Sequence, residues 1–212
     1  MHKFITLYSD VIDRVLVESK KNNVLVRFDF SEQTKICDEL YGSSGYFESE
    51  SKCLSIAIDE KFTAEEILET FIHESCHMDQ WSGDKFLWDM CQTGYDYFLK
   101  WLEKKVELQP HEINECIQNI IRLEQDCEQR SCTKIAKWNL PLNYDDYSKK
   151  SASYILSYYE MGKRRQWLRG SQKIEVYSKA PLINNIDLTK GVPVLLQQMF
   201  DEHLYAPTII NN

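Results

Sequence analysis

Residues 63–77 run Thr63-Ala64-Glu65-Glu66-Ile67-Leu68-Glu69-Thr70-Phe71-Ile72-His73-Glu74-Ser75-Cys76-His77. Thr63 followed three residues later by Glu66 has the spacing of a capping box, in which the threonine hydroxyl accepts from the third amide and the glutamate reaches back. A helix therefore starts at Ala64. Ile67, Leu68, Phe71 and Ile72 recur at the spacing of one apolar helix face, and Ser82-Gly83 supplies the stop. Inside this helix lies the pattern H-E-x-x-H. At 3.6 residues per turn His73 and His77 stand one turn apart and about 40° apart around the axis, so both imidazoles can reach one metal ion. Glu74 stands about 100° round from His73 and can serve a metal-held water as base without being a ligand.

The chemistry needs these residue types. Neutral imidazoles hold Zn²⁺ without cancelling its charge, so the pKa of a bound water falls towards about 7. A carboxylate beside it takes the proton and passes it to a leaving amine. A catalytic zinc needs a third protein ligand. Gln80 and Gly83 stand where the metzincin continuation has glycine and histidine, so the ligand is sought elsewhere. On the helix expected over 111–139, Ile113, Cys116, Ile117, Ile120, Ile121, Cys127 and Ile135 form a stripe with Glu124 near its centre and Glu128 one turn on. A carboxylate there is costly unless paired or on a metal. Glu124 is the expected third ligand; Glu128 is a group that orients an imidazole, or the ligand itself. The plainer alternative pairs both with Lys or Arg. Asp126 faces the other way, and His111 and His203 are weaker candidates outside any patterned face. Cys76 reads as a small core hydrophobe rather than a ligand.

The chain resembles the gluzincin group of zinc metallopeptidases, in which a glutamate on a later helix completes H-E-x-x-H. It looks in particular like the minimal zincin-like domains of bacterial and phage proteins, of the ImmA/IrrE and SprT-like kind. The likeness covers the strand Leu54–Asp59, the helix with Phe71 to His77, and Leu123 to Glu128, under half the chain. It implies that His73, His77 and Glu124 hold zinc around Glu74, and that the strand just before the motif helix is the sheet edge on which a peptide lies. The thermolysin string N-E-x-x-S-D is absent, so the third ligand stays open between Glu124 and Glu128.

Around the motif, apolar residues from Phe4 to Leu16 give a helix that ends at Lys20-Lys21-Asn22-Asn23. Val24–Phe30 and Leu54–Asp59 alternate as strands, and 41–47 is a turn leading into a short one. Further helices are expected over 85–108, 148–168 and 192–204, with a strand at 172–177. The expected architecture is helix-rich α+β. A small, mainly antiparallel sheet packs on the H-E-x-x-H helix of a minimal zincin-like fold, with a glutamate-bearing helix downstream and additional C-terminal helices. Residues 1–145 form the metallopeptidase domain and 146–212 a helical extension on it.

Seven Gly and five Pro in 212 residues favour long helices. Net charge −8 disfavours non-specific adhesion to nucleic acid or membranes. Within 149–179, however, Lys149, Lys150, Lys163, Arg164, Arg165, Arg169, Lys173 and Lys179 face only Glu160 and Glu175, with Tyr154, Tyr158, Tyr159 and Trp167 interleaved. That composition suits an acidic partner or nucleic acid, or an ordinary solvated face. No secretory leader or membrane span is read, and seven scattered cysteines without C-x-x-C spacing fit reduced thiols, so a cytoplasmic location is expected.

The functional expectation is a zinc-dependent metallohydrolase, an intracellular peptidase with Glu74 as general base acting on a protein or peptide. The main alternative is an inactive zincin-like binding or regulatory module, phage-encoded by analogy, that docks a partner through 149–179. A third reading is a helical interaction protein in which the motif is accidental.

Overall fold

A computed structural model describes residues 3–31, 33–36, 39–40, 43–168, 171, 173–187 and 190–204. The chain divides into two compact units, one of residues 1–85 with 133–142 and the other of 86–132 with 143–212.

The first unit opens with two short helices where the periodicity predicts one, α1 (Lys3–Leu7) and α2 (Ser9–Lys21). The break falls at Tyr8, whose ψ of 27° departs from helical geometry. Five strands follow: β1 (Leu25–Asp29), β2 (Lys35–Ile36), β3 (Glu39–Leu40), β4 (Gly45–Glu48) and β5 (Cys53–Ala57). Among the described residues β2 and β3 form a two-stranded sheet, while the three-stranded sheet has the order β1-β5-β4. β4 and β5 are antiparallel, Gly45 opposite Ile56, and β1 runs parallel to β5, Leu25 opposite Cys53.

This corrects two expectations. The sheet is mixed rather than mainly antiparallel, because the four-residue link 49–52 commits β4 to one side of β5. The earlier strand β1 then takes the other side in the parallel sense. The strand before the motif helix is consequently central, and its near-complete burial is that of a strand covered on both faces. The sheet edge on the antiparallel side is β4.

α3 (Ala64–Gly83) begins as its sequence predicts. The Glu66 amide donates to Thr63 Oγ1 at 3.1 Å and the Thr63 amide donates to Glu66 Oε2 at 2.8 Å. Its apolar face packs on the sheet, with Leu68, Phe71 and Ile72 fully buried beside Leu54 and Ile56. Phe71 meets Phe4 edge-on with ring centres 5.8 Å apart, and Phe28 at the same distance.

The second unit is helical. α4 (Lys85–Leu102), α5 (Pro110–Lys137), α6 (Tyr144–Arg164), α7 (Ile174–Tyr177) and α8 (Val194–Leu204) follow in order; Lys85 and the last turn of α5 belong to the first unit. α4 stops six residues before the expected 108. The Lys105 amide donates to Lys100 O and the Lys104 amide to Trp101 O, with Lys104 at φ 60°, which is a Schellman turn. Asn139 closes α5 and Asn23 closes α2 with the same bond pattern at φ 51° and 54°. A glycine-poor chain thus ends three of its helices on left-handed asparagine and lysine. The strand expected at 172–177 is instead α7 over 174–177, a single turn whose Val176 joins a core of Ala152, Leu156, Leu196 and Phe200; Gln172 lies outside the described residues. Gly162 lets α6 approach α5: a Cβ there would lie 2.2 Å from Ile117 Cδ1.

The molecule is a helix-rich α+β protein with a small sheet. Among the described residues no helix is long and apolar enough to cross a membrane. The six described cysteines, at 53, 76, 91, 116, 127 and 132, are free thiols.

Candidate metal centre

In the first unit the helical register brings the two motif histidines together. The His73 and His77 rings meet edge-on, 4.6 Å between centres at 89°, and their Nε2 atoms are 3.1 Å apart. Two nitrogens bound at 2.0–2.1 Å to one tetrahedral ion stand about 3.3 Å apart, so this separation suits a shared Zn²⁺ with minimal movement. His77 Nδ1 lies 2.8 Å from Gln80 Oε1, with both residues buried. A carbonyl oxygen only accepts, so Nδ1 carries the proton and Nε2 the lone pair that a metal requires.

Glu74, next to His73 in sequence, is buried at 8% exposure. The first residue of β4 lies against it. A Cβ on Gly45 would sit 2.9 Å from Glu74 Cγ, 3.2 Å from Glu74 Oε1 and 2.3 Å from Thr70 Cγ2. Glycine here is a packing requirement: it lets the edge strand reach the motif helix with the carboxylate between them.

Behind the motif, Lys134 of α5 reaches back into the same unit. Its Nζ donates to Ser75 Oγ at 3.0 Å and pairs with Asp79 at 2.8 Å and Glu18 at 3.1 Å. Ser75 Oγ itself donates to Ile72 O at 2.7 Å. Burial lowers the ammonium's pKa, but Cys76, Asp79 and Glu18 together more than offset this, and the net shift is upward. The ammonium also lies 5.2 Å from the centre of the Trp138 ring, with the Arg14 guanidinium 5.5 Å from that centre. Cys76 is fully buried.

In the second unit Glu124 and Glu128 are buried on α5, 6% and 4% exposed, and Cys127 between them is fully enclosed. At spacings of three and four these residues share one helix face. Glu128 accepts from the buried Tyr147 hydroxyl at 2.7 Å. The Tyr154 and Tyr158 hydroxyls are 2.6 Å apart. Burial first, then charge at Glu128, pushes the Tyr147 phenol well up. Tyr154 is pushed well up by burial and Glu124, and Tyr158 by burial, Tyr154 and then Tyr95 and Glu124. Asp126 points outward as its position on the helix predicts, paired with Arg130 at 2.7 Å. His111 is exposed, and the side chain of His203 lies outside the described residues.

Three of the eight basic residues of 149–179 have described ion pairs within their own unit. Lys163 pairs with Glu160 at 2.6 Å, Arg164 with Asp201, and Arg165 with Glu107 at 2.8 Å. Tyr158 is interior, whereas Trp167 is 46% exposed. Arg169 lies outside the described residues.

Three residues that matter here, Gly45, Gln80 and Lys134, were not expected from sequence. Gln80 carried a signal, since it sits three residues after His77 on the same side of the helix. Gly45 and Lys134 act across elements and carried none. Comparison with known protein families, with characterised proteins and with solved structures finds no match to this chain.

Proposed function

We propose that the protein is a zinc-dependent metallohydrolase, acting on peptide bonds, in which His73 and His77 hold the metal through Nε2 and Glu74 is the general base. The observation that carries this reading is the Nε2 pair at 3.1 Å, with His77 Nδ1 committed to Gln80. An H-E-x-x-H pattern on a capped helix has the intervening glutamate buried and offers two imidazoles, the donor set that borderline Zn²⁺ prefers.

Zinc, when bound, supplies a Lewis acid that makes a water nucleophilic near neutral pH. Glu74 accepts the proton from the attacking water at its carboxylate and returns it to the leaving amine nitrogen. Gly45 of β4 lies against that side chain. The third ligand is proposed from the buried face of α5. Glu124 is the first choice on its position in the apolar stripe, Glu128 the alternative, and Cys127 joins them because a thiolate is also a strong zinc ligand.

The test is metal content and hydrolysis in variants of the full chain. Stoichiometric zinc should be lost in His73→Ala and His77→Ala. It should be kept in Glu74→Gln, with peptide hydrolysis falling about 10²- to 10⁴-fold. Glu124→Ala, Cys127→Ser and Glu128→Gln, assayed for zinc affinity, identify the third ligand. Zinc content indifferent to His73→Ala would overturn the proposal. Zinc bound through the histidines without hydrolysis of any peptide library would convert the enzyme into a zincin-like binding module.

A further inference from the structure

We infer that Gln80 is a positioning residue for the metal centre, holding His77 in the tautomer and ring orientation that present Nε2 to the ion. The inference rests on the metal reading above and extends it to a residue outside the H-E-x-x-H pattern. Three observations carry it. The Gln80 carbonyl is 2.8 Å from His77 Nδ1. Both side chains are buried, at 6% and 8% exposure, where an amide is costly unless hydrogen-bonded and a ring cannot exchange one partner for solvent. The other nitrogen of the same ring is the one that stands 3.1 Å from His73 Nε2.

The identity of the partner also sets the strength of the ligand. A carboxylate accepting from Nδ1–H draws proton density off the ring and makes Nε2 a more basic donor; a neutral amide does this less. Gln80 therefore fixes geometry while leaving the two-imidazole set uncharged, which preserves the positive field that polarises a bound water. Gln80→Glu should tighten zinc binding. Gln80→Leu, which fills similar space without an acceptor, should weaken it.

The experiment pairs zinc titration with ¹⁵N spectroscopy of the histidine rings in metal-free protein. Wild type should show His77 with its proton on Nδ1. Gln80→Leu should lose that single tautomer and bind zinc about 10- to 100-fold more weakly. Gln80→Glu, which keeps an acceptor should the apolar variant fold poorly, should keep the tautomer and bind at least as tightly as wild type. A Gln80→Leu protein with wild-type tautomer and affinity, or a Gln80→Glu protein that binds more weakly than wild type, overturns the inference. Failure of the metal reading looks different: wild-type zinc binding is then indifferent to His73→Ala, while the tautomer measurement still decides what Gln80 does to His77.

Discussion

The helices α3 and α5 both carry polar groups into the interior, and the described bonds of their key residues differ in reach. On α3 the motif's described bonds are local: His73, His77 and Gln80 meet at spacings of four and three within one helix. On α5 the buried charged groups Glu128 and Lys134 bond to other elements. Glu128 accepts a hydrogen bond from the Tyr147 hydroxyl of α6, and Lys134 reaches Ser75 and Asp79 of α3 and Glu18 of α2. A site written in helical spacing can be read off a sequence, whereas one completed by tertiary partners reveals only that something polar is buried.

The strongest way to break this contrast is to remove the tertiary partner nearest the motif. Lys134→Met keeps length and apolar stem but deletes the ammonium that joins Ser75, Asp79 and Glu18. A fully buried pair loses about 3–5 kcal/mol when one member is removed. Asp79 and Glu18 keep 26% and 33% exposure and recover part of their hydration, so about 2–3 kcal/mol is expected here in urea unfolding. The pH dependence has a definite sign. The folded ammonium titrates above its ordinary 10.5, so its stabilisation is complete below that pH and is lost as pH rises through the raised folded value. Wild type should lose this increment in alkaline melts, and Lys134→Met should lack that loss.

A smaller effect is expected at the other end of α5. Tyr147→Phe leaves the buried Glu128 carboxylate without the 2.7 Å hydroxyl, an unmade bond to a charged group worth about 1.5–3 kcal/mol. If Glu128 only packs, chemical denaturation should show that loss and zinc affinity should stay put. A change in zinc affinity instead marks Glu128 as part of the metal centre.

What the sequence disclosed follows the same division. The capping box, the register of His73 and His77, the inward turn of Glu124 and Glu128 and the outward turn of Asp126 all depend on spacing within one helix, and the structure places them as spacing requires. The parallel pairing of β1 with β5 depends on which strand claims β5 first, a competition that alternation of side chains does not encode. The stop of α4 depends on a left-handed Lys104, a conformation that residue type disfavours and neighbouring contacts impose, among them Arg165 donating to Trp101 O at 2.8 Å and Val106 O at 2.9 Å. The basic count in 149–179 is correct as composition, but its pairing with Glu107 and Asp201 comes from residues tens of positions away.

The smallest expected effect tests the local side of the contrast alone. Thr63→Ala removes the hydroxyl that accepts from the Glu66 amide and donates to Glu66 Oε2, leaving the backbone half of the box, at a cost of about 1 kcal/mol. His73 lies ten residues, nearly three turns, beyond the cap, so fraying of the first turn should not reach it. The expected result is a lower melting temperature with unchanged zinc affinity and unchanged His77 tautomer. A coupled loss of zinc affinity would mean that the motif's geometry is held by the whole of α3 as one cooperative element. The imidazole pair would then depend on the packing of α3 against the sheet as much as on its own four-residue spacing.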